Sequence, residues 1–218
     1  MGRREVAREI VGCCRRLRDA GLVAGVEGNV SARIGPDRLL ITPSGLPKGE
    51  LRAEDLVEVD LAGNRRKGSR RPSSELDLHL RVYRQRQDCG AVVHAHPPTA
   101  TAFAVAGEGL PGDVLPEIVL LMGEVPCVPY ATTGTPALGD ATEPYLAHHV
   151  ALLLANHGAL TWGSDLSQAR IRMESLEHAS RILLAARALG RVSRLTRDQI
   201  DVLERMRGMS SHGQDSGY

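Results

Sequence analysis

Aromatic residues are scarce in this chain of 218 residues: they make up 3% of it, with one Phe and one Trp. Any core must therefore be aliphatic. No charge of one sign is in excess. The 27 basic and 26 acidic residues leave a net +1, which gives no reason to expect nucleic acid or an anionic membrane as a partner. No apolar run approaches the roughly 20 residues of a membrane span. The opening MGRREVAREI moves straight into an amphipathic pattern and lacks the continuous apolar region of a secretory signal, so a cytoplasmic location is expected. Cys13, Cys14, Cys89 and Cys127 form no CxxC pair, and most have apolar neighbours, which is expected of buried free thiols in a reducing compartment. Glycine patterns of the Walker or Rossmann type are missing, as are internal repeats and long linkers. The length suits one domain with a sizeable core.

What is present alternates between helical and extended patterns. Val6, Ile10, Cys13 or Cys14, and Leu17 recur at helical spacing over 3–20. Short alternating pieces follow at 29–34, 38–42 and 56–61, separated by turn residues. The basic 65-RRKGSRR-71 reads as a solvated loop. A serine N-cap at Ser73 or Ser74 opens a helix over 75–86, with Leu76, Leu80 and Tyr83 on one face. A strand at 91–96, a small-residue helix at 98–107 and a strand at 125–130 come next. A helix over 136–149 leads into a strand over 150–158, then 159-ALTW-162. Helices at about 165–189 and 197–207 complete the domain, 1–208, before a polar, mobile tail at 209–218. Strands cluster rather than alternating strictly with helices. This favours a layered α/β fold, a three-layer α/β/α sandwich around a central, largely antiparallel sheet.

The segment 92-VVHAHPPTATA-102 carries the strongest chemical signal. Residues i and i+2 of a strand share a face, so His94 and His96 aim at one point. Pro97 then stops the strand. A third histidine, His157, ends the apolar run 150-VALLLAN-156 and is followed by glycine. Three imidazoles at adjacent strand ends suit one cation with an open position. Imidazole accepts several transition metals, with zinc the default. His79 and His178 fall within helices, His148 and His149 at a helix end, and His212 in the tail; each reads as structural or surface.

Three further segments, 28-GNVS-31, 42-TPSG-45 and 73-SSE-75, pair small polar residues with glycine or a helix start. Hydroxyls, closely approaching backbone and helix N-terminal amides suit an anion.

Taken in order, GNVSAR, LLITPSGLPKGEL, RPSSELDLHLRVY, AVVHAHPPTATA, VPCVPYATTGT and LLLANHGALTWG resemble the class II aldolase/adducin-like family, most closely its L-fuculose-1-phosphate aldolase branch, over about residues 5–205. The resemblance implies a single α/β/α domain, usually a cyclic homotetramer with active sites at subunit interfaces. It implies one divalent metal per chain, most simply Zn2+ with Mn2+, Co2+ or Fe2+ as alternatives, held by His94, His96, His157 and, before substrate arrives, Glu75. Gly28, Asn29, Ser44, Gly45, Ser73 and Ser74 fall where the substrate phosphate is held. The implied reaction is reversible cleavage of an L-fuculose-1-phosphate-like ketose 1-phosphate to dihydroxyacetone phosphate and an aldehyde. It runs through a metal-stabilised enediolate, with Glu75 moving the proton. A dehydratase or 4-epimerase with the same metal site is the nearest alternative, and a non-catalytic adducin-like scaffold a more distant one. The sequence departs from the fuculose branch where a tyrosine precedes the VPCVPY-like strand. Here 115-LPEIVLLMGE-124 offers Glu117 instead, in the segment where methylthioribulose-phosphate dehydratases place a catalytic glutamate. Glu117 is thus the candidate second acid/base group. The tail carries only Tyr218 where the fuculose branch has aromatic residues.

Overall fold

The chain is described from a computed structural model covering residues 2–212. Helix α1 (Arg3–Asp19) buries the helically spaced Val6, Ile10, Cys13, Cys14 and Leu17. Four strands follow, β1 (Asn29–Arg33), β2 (Arg38–Ile41), β3 (Val57–Asp60) and β4 (Arg65–Lys67). Then come α2 (Leu76–Gln85), β5 (Ala91–Ala95), α3 (Pro98–Val105), α4 (Pro116–Leu121), β6 (Cys127–Val128) and α5 (Pro136–Thr142). A hairpin of β7 (Ala151–Leu154) and β8 (Gly158–Gly163) precedes α6 (Leu166–Ala188) and α7 (Arg197–His212). Among the described residues no helix is long and apolar enough to cross a membrane.

The eight strands form one sheet in the order β4-β3-β2-β1-β5-β8-β7-β6. Every neighbouring pair is antiparallel except β6 with β7. Alternation along the strands sends side chains to two cores. Leu40, Val93 and Leu153 pack with α1, α3, α4 and α6 on one face. Leu39, Val92, Leu152 and Trp162 pack with α2 and α5 on the other. The molecule is therefore the expected three-layer α/β/α sandwich with a largely antiparallel sheet. Cys13, Cys14 and Cys89 are buried, Cys127 is half-buried, and all four are free.

Several local expectations are corrected. The basic segment 65–71 begins as edge strand β4, not as a loop. Its exposed Arg65–Lys67 pair with β3, and a row of cations discourages a further strand from adding there. The strand expected over 125–130 shrinks to two residues, because Pro126 and Pro129 flank it without ladder donors. The helix expected over 136–149 stops at Thr142 and tightens into a 3-10 turn at Glu143–Tyr145, which holds Pro144. The strand expected over 150–158 stops at Leu154, where the chain turns through Asn156 at φ 56°. His157 thus sits in the turn into β8, not at a strand end. Helix α7 continues to His212, so the expected tail boundary falls inside a helix, and residues 213–218 lie outside the described residues.

Two features place the site. Strand β5 lies between β1 and β8, so its C-terminal end is flanked on both sides. Just beyond it, α3 starts at Pro98, and its exposed backbone donors are capped from afar. The buried Glu177 carboxylate on α6 accepts from Thr99 N and Ala100 N, each at 2.9 Å. A carboxylate at a helix N-terminus is favourable to the dipole and satisfies donors that would otherwise be orphaned. This fixes where the chain leaves His96.

Candidate metal centre and anion cradle

His94 is fully buried on β5, opposite Asn29 of β1 and Leu160 of β8. Its Nδ1–H donates to Ala159 O at 2.9 Å, which leaves Nε2 as a bare lone pair. His96 follows two residues on, and its Nε2 lies 3.1 Å from His94 Nε2. His157 closes the triangle, with ring centroids 4.6 Å from His94 and 5.0 Å from His96. One ring nitrogen from each of the three lies within 4.8 Å of the others. Burial is the main reason that His94 and His96 sit below the usual histidine range, so both are neutral and hold lone pairs at neutral pH.

Glu75 occupies the N-cap position of α2. The serine N-cap expected from sequence is displaced by two residues at most: Ser73 Oγ accepts from Glu75 N at 3.3 Å, outside the helix proper. The Glu75 carboxylate faces the imidazoles, with Oε2 at 3.3 Å from His94 Nε2 and Oε1 at 3.1 Å from His157 Nε2. Burial opposes its charge, yet the facing His94 and His157 and the Asn29 amide outweigh burial. They hold its carboxyl well below the usual carboxylate range. Asn29 Nδ2 donates to Glu75 Oε2 at 2.7 Å.

This donor set fits a divalent cation. Two neutral imidazole nitrogens 3.1 Å apart repel each other unless a proton or cation lies between them. His157 Nδ1 is buried without a hydrogen-bond partner, and Glu75 Oε1 is buried with only His157 Nε2, 3.1 Å away, beside it. Three imidazoles plus a carboxylate form a borderline-soft set with room for a further ligand.

The same cavity, about 400 Å³, is lined by Gly28, Asn29, Ser44, Gly45, Ser73, Ser74, Glu75, His96 and His157. The structure therefore brings the three sequence-read polar segments and the histidines together. Gly28 shows why the fit is close. It has φ +69°, and a Cβ there would stand 2.7 Å from His94 O. Only glycine lets β1 enter beside the histidine strand. Glu117 is not brought in: it sits on α4 and lines a separate cavity with Leu115, Ile118, Glu174 and His178.

Sequence reading missed a buried polar chain behind Glu75. His79, read as structural, is fully buried on α2. Its Nε2–H donates to Asn29 Oδ1, and its Nδ1 accepts from Ser31 Oγ at 2.6 Å. Tyr83 OH donates in turn to Ser31 Oγ at 2.9 Å. With Asn29 Oδ1 occupied, its amide must present Nδ2 to Glu75. The available signals were the i, i+4 spacing of His79 and Tyr83 and the i, i+2 spacing of Asn29 and Ser31. Also missed were Glu27, whose Oε2 lies 3.5 Å from His96 Nδ1, and Lys48 in the cavity wall.

Residues 8–184 match the family described as Class II Aldolase and Adducin N-terminal domain. A 5-deoxy-D-ribulose 1-phosphate aldolase of Bacillus thuringiensis serovar kurstaki is 36% identical over 197 residues, covering 89% of this chain and 92% of the relative. A 3-oxo-tetronate 4-phosphate decarboxylase of Pectobacterium atrosepticum is 37% identical over 168 residues, covering 75% and 76%. The solved structure of an L-fuculose 1-phosphate aldolase superposes with a TM-score of 0.87 at 32% identity, covering 93% of this chain and 95% of that one.

Proposed function

Because the chain belongs to the class II aldolase and adducin N-terminal domain family, whose aldolases use a divalent metal, we propose that it is an aldolase cleaving a ketose 1-phosphate reversibly to dihydroxyacetone phosphate and an aldehyde. The observation that carries this reading is the single cavity in which His96, His157 and Glu75, backed by the buried His94, meet the Ser, Gly and Asn groups suited to a phosphate.

His94, His96, His157 and Glu75 would hold the ion, with zinc the first choice. When bound, the ion supplies a Lewis acid for the ketose carbonyl. The hydroxyls of Ser44, Ser73 and Ser74 and the first amides of α2 bind the phosphate and set the register of the sugar chain. Glu75, kept ionised and oriented by Asn29, moves the proton at the carbon beside the carbonyl. Glu117 remains the candidate donor to the aldehyde oxygen. Since it lines another cavity of its own chain, that role requires a second copy at the site. It accords with a cytoplasmic homotetramer whose sites lie between subunits. Identity to the deoxyribulose-phosphate aldolase and likeness to the fuculose-phosphate aldolase both support a short deoxy-ketose 1-phosphate as substrate.

A decarboxylase of a sugar-acid phosphate is the second reading, favoured by the 37% identity to such an enzyme. Product analysis separates the two. Incubation with L-fuculose 1-phosphate and 5-deoxyribulose 1-phosphate should release dihydroxyacetone phosphate, and a chelator should abolish the release. Carbon dioxide from a 3-oxo-tetronate phosphate, with no dihydroxyacetone phosphate from either ketose, would replace the aldolase reading.

A further inference from the structure

Lys48 opens a 3-10 turn, Lys48–Glu50, between β2 and β3 and is 3% exposed. A buried ammonium is costly unless a counter-charge meets it, yet none is bonded to it. Its Nζ donates only to two backbone carbonyls, Val26 O at 2.7 Å and Leu46 O at 2.9 Å. An ammonium has three donors, so one is left over. Cys14, which could oppose the charge only as a thiolate, is a neutral thiol because burial raises its pKa. Burial also lowers the Lys48 pKa, against the pull of Cys14 and Glu75.

Lys48 is also the one lysine or arginine among the described residues lining the cavity that holds Ser44, Gly45, Ser73 and Ser74. The carbonyls it binds belong to the two loops that flank this cradle, and its own N–H reaches Gly25 O at 3.4 Å. The cradle otherwise offers only neutral donors, while Glu27 and Glu75 add negative charge to the same wall. A dianion entering there needs a cation in addition to hydroxyls and amides.

We propose that Lys48 is a binding residue for the ligand's phosphate, its buried ammonium supplying the counter-charge and its two carbonyl bonds clamping the phosphate loops around it. This rests on the aldolase reading only in taking a phosphate ester as the ligand. Lys48 thereby selects dianionic phosphate esters over the free sugar, while the metal centre and Glu75 stay untouched.

The test uses inorganic phosphate as the probe, titrated calorimetrically into the full-length, metal-loaded protein. Lys48→Gln keeps donors for the two carbonyls and removes the charge, whereas Lys48→Met removes both. Both should bind phosphate about 10- to 100-fold more weakly, the range lost with a charge-assisted hydrogen bond. Metal content should stay at the parent's level, and Lys48→Arg should recover part of the affinity. With ketose 1-phosphate the loss should fall on KM and not on kcat. Should Lys48→Met fail to fold, Lys48→Gln carries the result, its thermal midpoint without phosphate reporting its integrity. Phosphate affinity equal to the parent's in Lys48→Gln overturns the proposal and leaves the aldolase reading intact. So does affinity that disappears only on metal removal, which would put the anion on the ion. Conversely, weak phosphate binding in Lys48→Gln together with no dihydroxyacetone phosphate from the parent would keep Lys48 in place and retire the aldolase reading.

Discussion

Glu75 touches both His94 and His157 and takes a hydrogen bond from Asn29, so its substitution separates chemistry from assembly. Glu75→Gln keeps the shape and removes the basicity. Exchange of the dihydroxyacetone phosphate proton with deuterated solvent, measured without aldehyde, should slow by at least about 100-fold. Phosphate affinity should change little. Near-normal exchange in the metal-loaded variant would assign the proton to another group. Behind Glu75, His79 gives a pH signature. Burial, opposed by the charge of Glu75, lowers its pKa to about 4 from 6.5. Between those values the unfolded chain binds a proton that the folded chain refuses. The contribution is full above about pH 6.5 and is lost as pH falls toward 4, roughly 3 kcal/mol in all. Compared in urea with chelator present, His79→Gln should be less stable than the parent but lose stability less steeply from pH 6.5 to 4.5. An equally steep profile would clear His79 of the effect. At this scale strand parity showed His94 and His96, the end of an apolar run showed His157, and the role of Glu75 came from the family resemblance alone. The sequence hid the His79 chain and Lys48, because burial and partners 22 to 52 residues away are not local.

At the scale of elements, the turn between β7 and β8 does the most for the site. It delivers His157 through the left-handed Asn156, then sends Gly158 beneath His96. A Cβ at Gly158 would meet His96 Cδ2 at 2.6 Å and Ala95 O at 2.7 Å, closer than real contacts allow. Gly158→Ala should therefore displace the His96 ring and weaken metal retention about 10- to 100-fold, seen as metal lost per chain after dialysis. Full retention would mean that the ring tolerates the shift. Elements with strong periodicity, such as α1, α2, β5 and α6, were legible. Those set by pairing or by proline were not: β4 is a run of cations that only β3 makes into a strand, and β6 is two residues between prolines.

For the whole molecule, apolar alternation and clustered strands were enough to indicate three layers and an antiparallel sheet. The order of strands was not legible, since it depends on which distant segments meet. That order has a bearing on how the protein comes into being. Strand β5 joins the early strands β1–β4 to the late strands β6–β8, and the four converging side chains come from α2, from β5 and its exit, and from the β7–β8 turn. During synthesis the chain emerges N-terminal end first. Until residue 157 has emerged and β8 has zipped onto β5, the nascent polypeptide offers only His94, His96 and Glu75. Contacts this far apart in sequence form late and slowly. The ion therefore cannot template folding from its start. An ion held by all four groups would enter a nearly finished sheet, and its capture would mark the closing of the seam between the two halves.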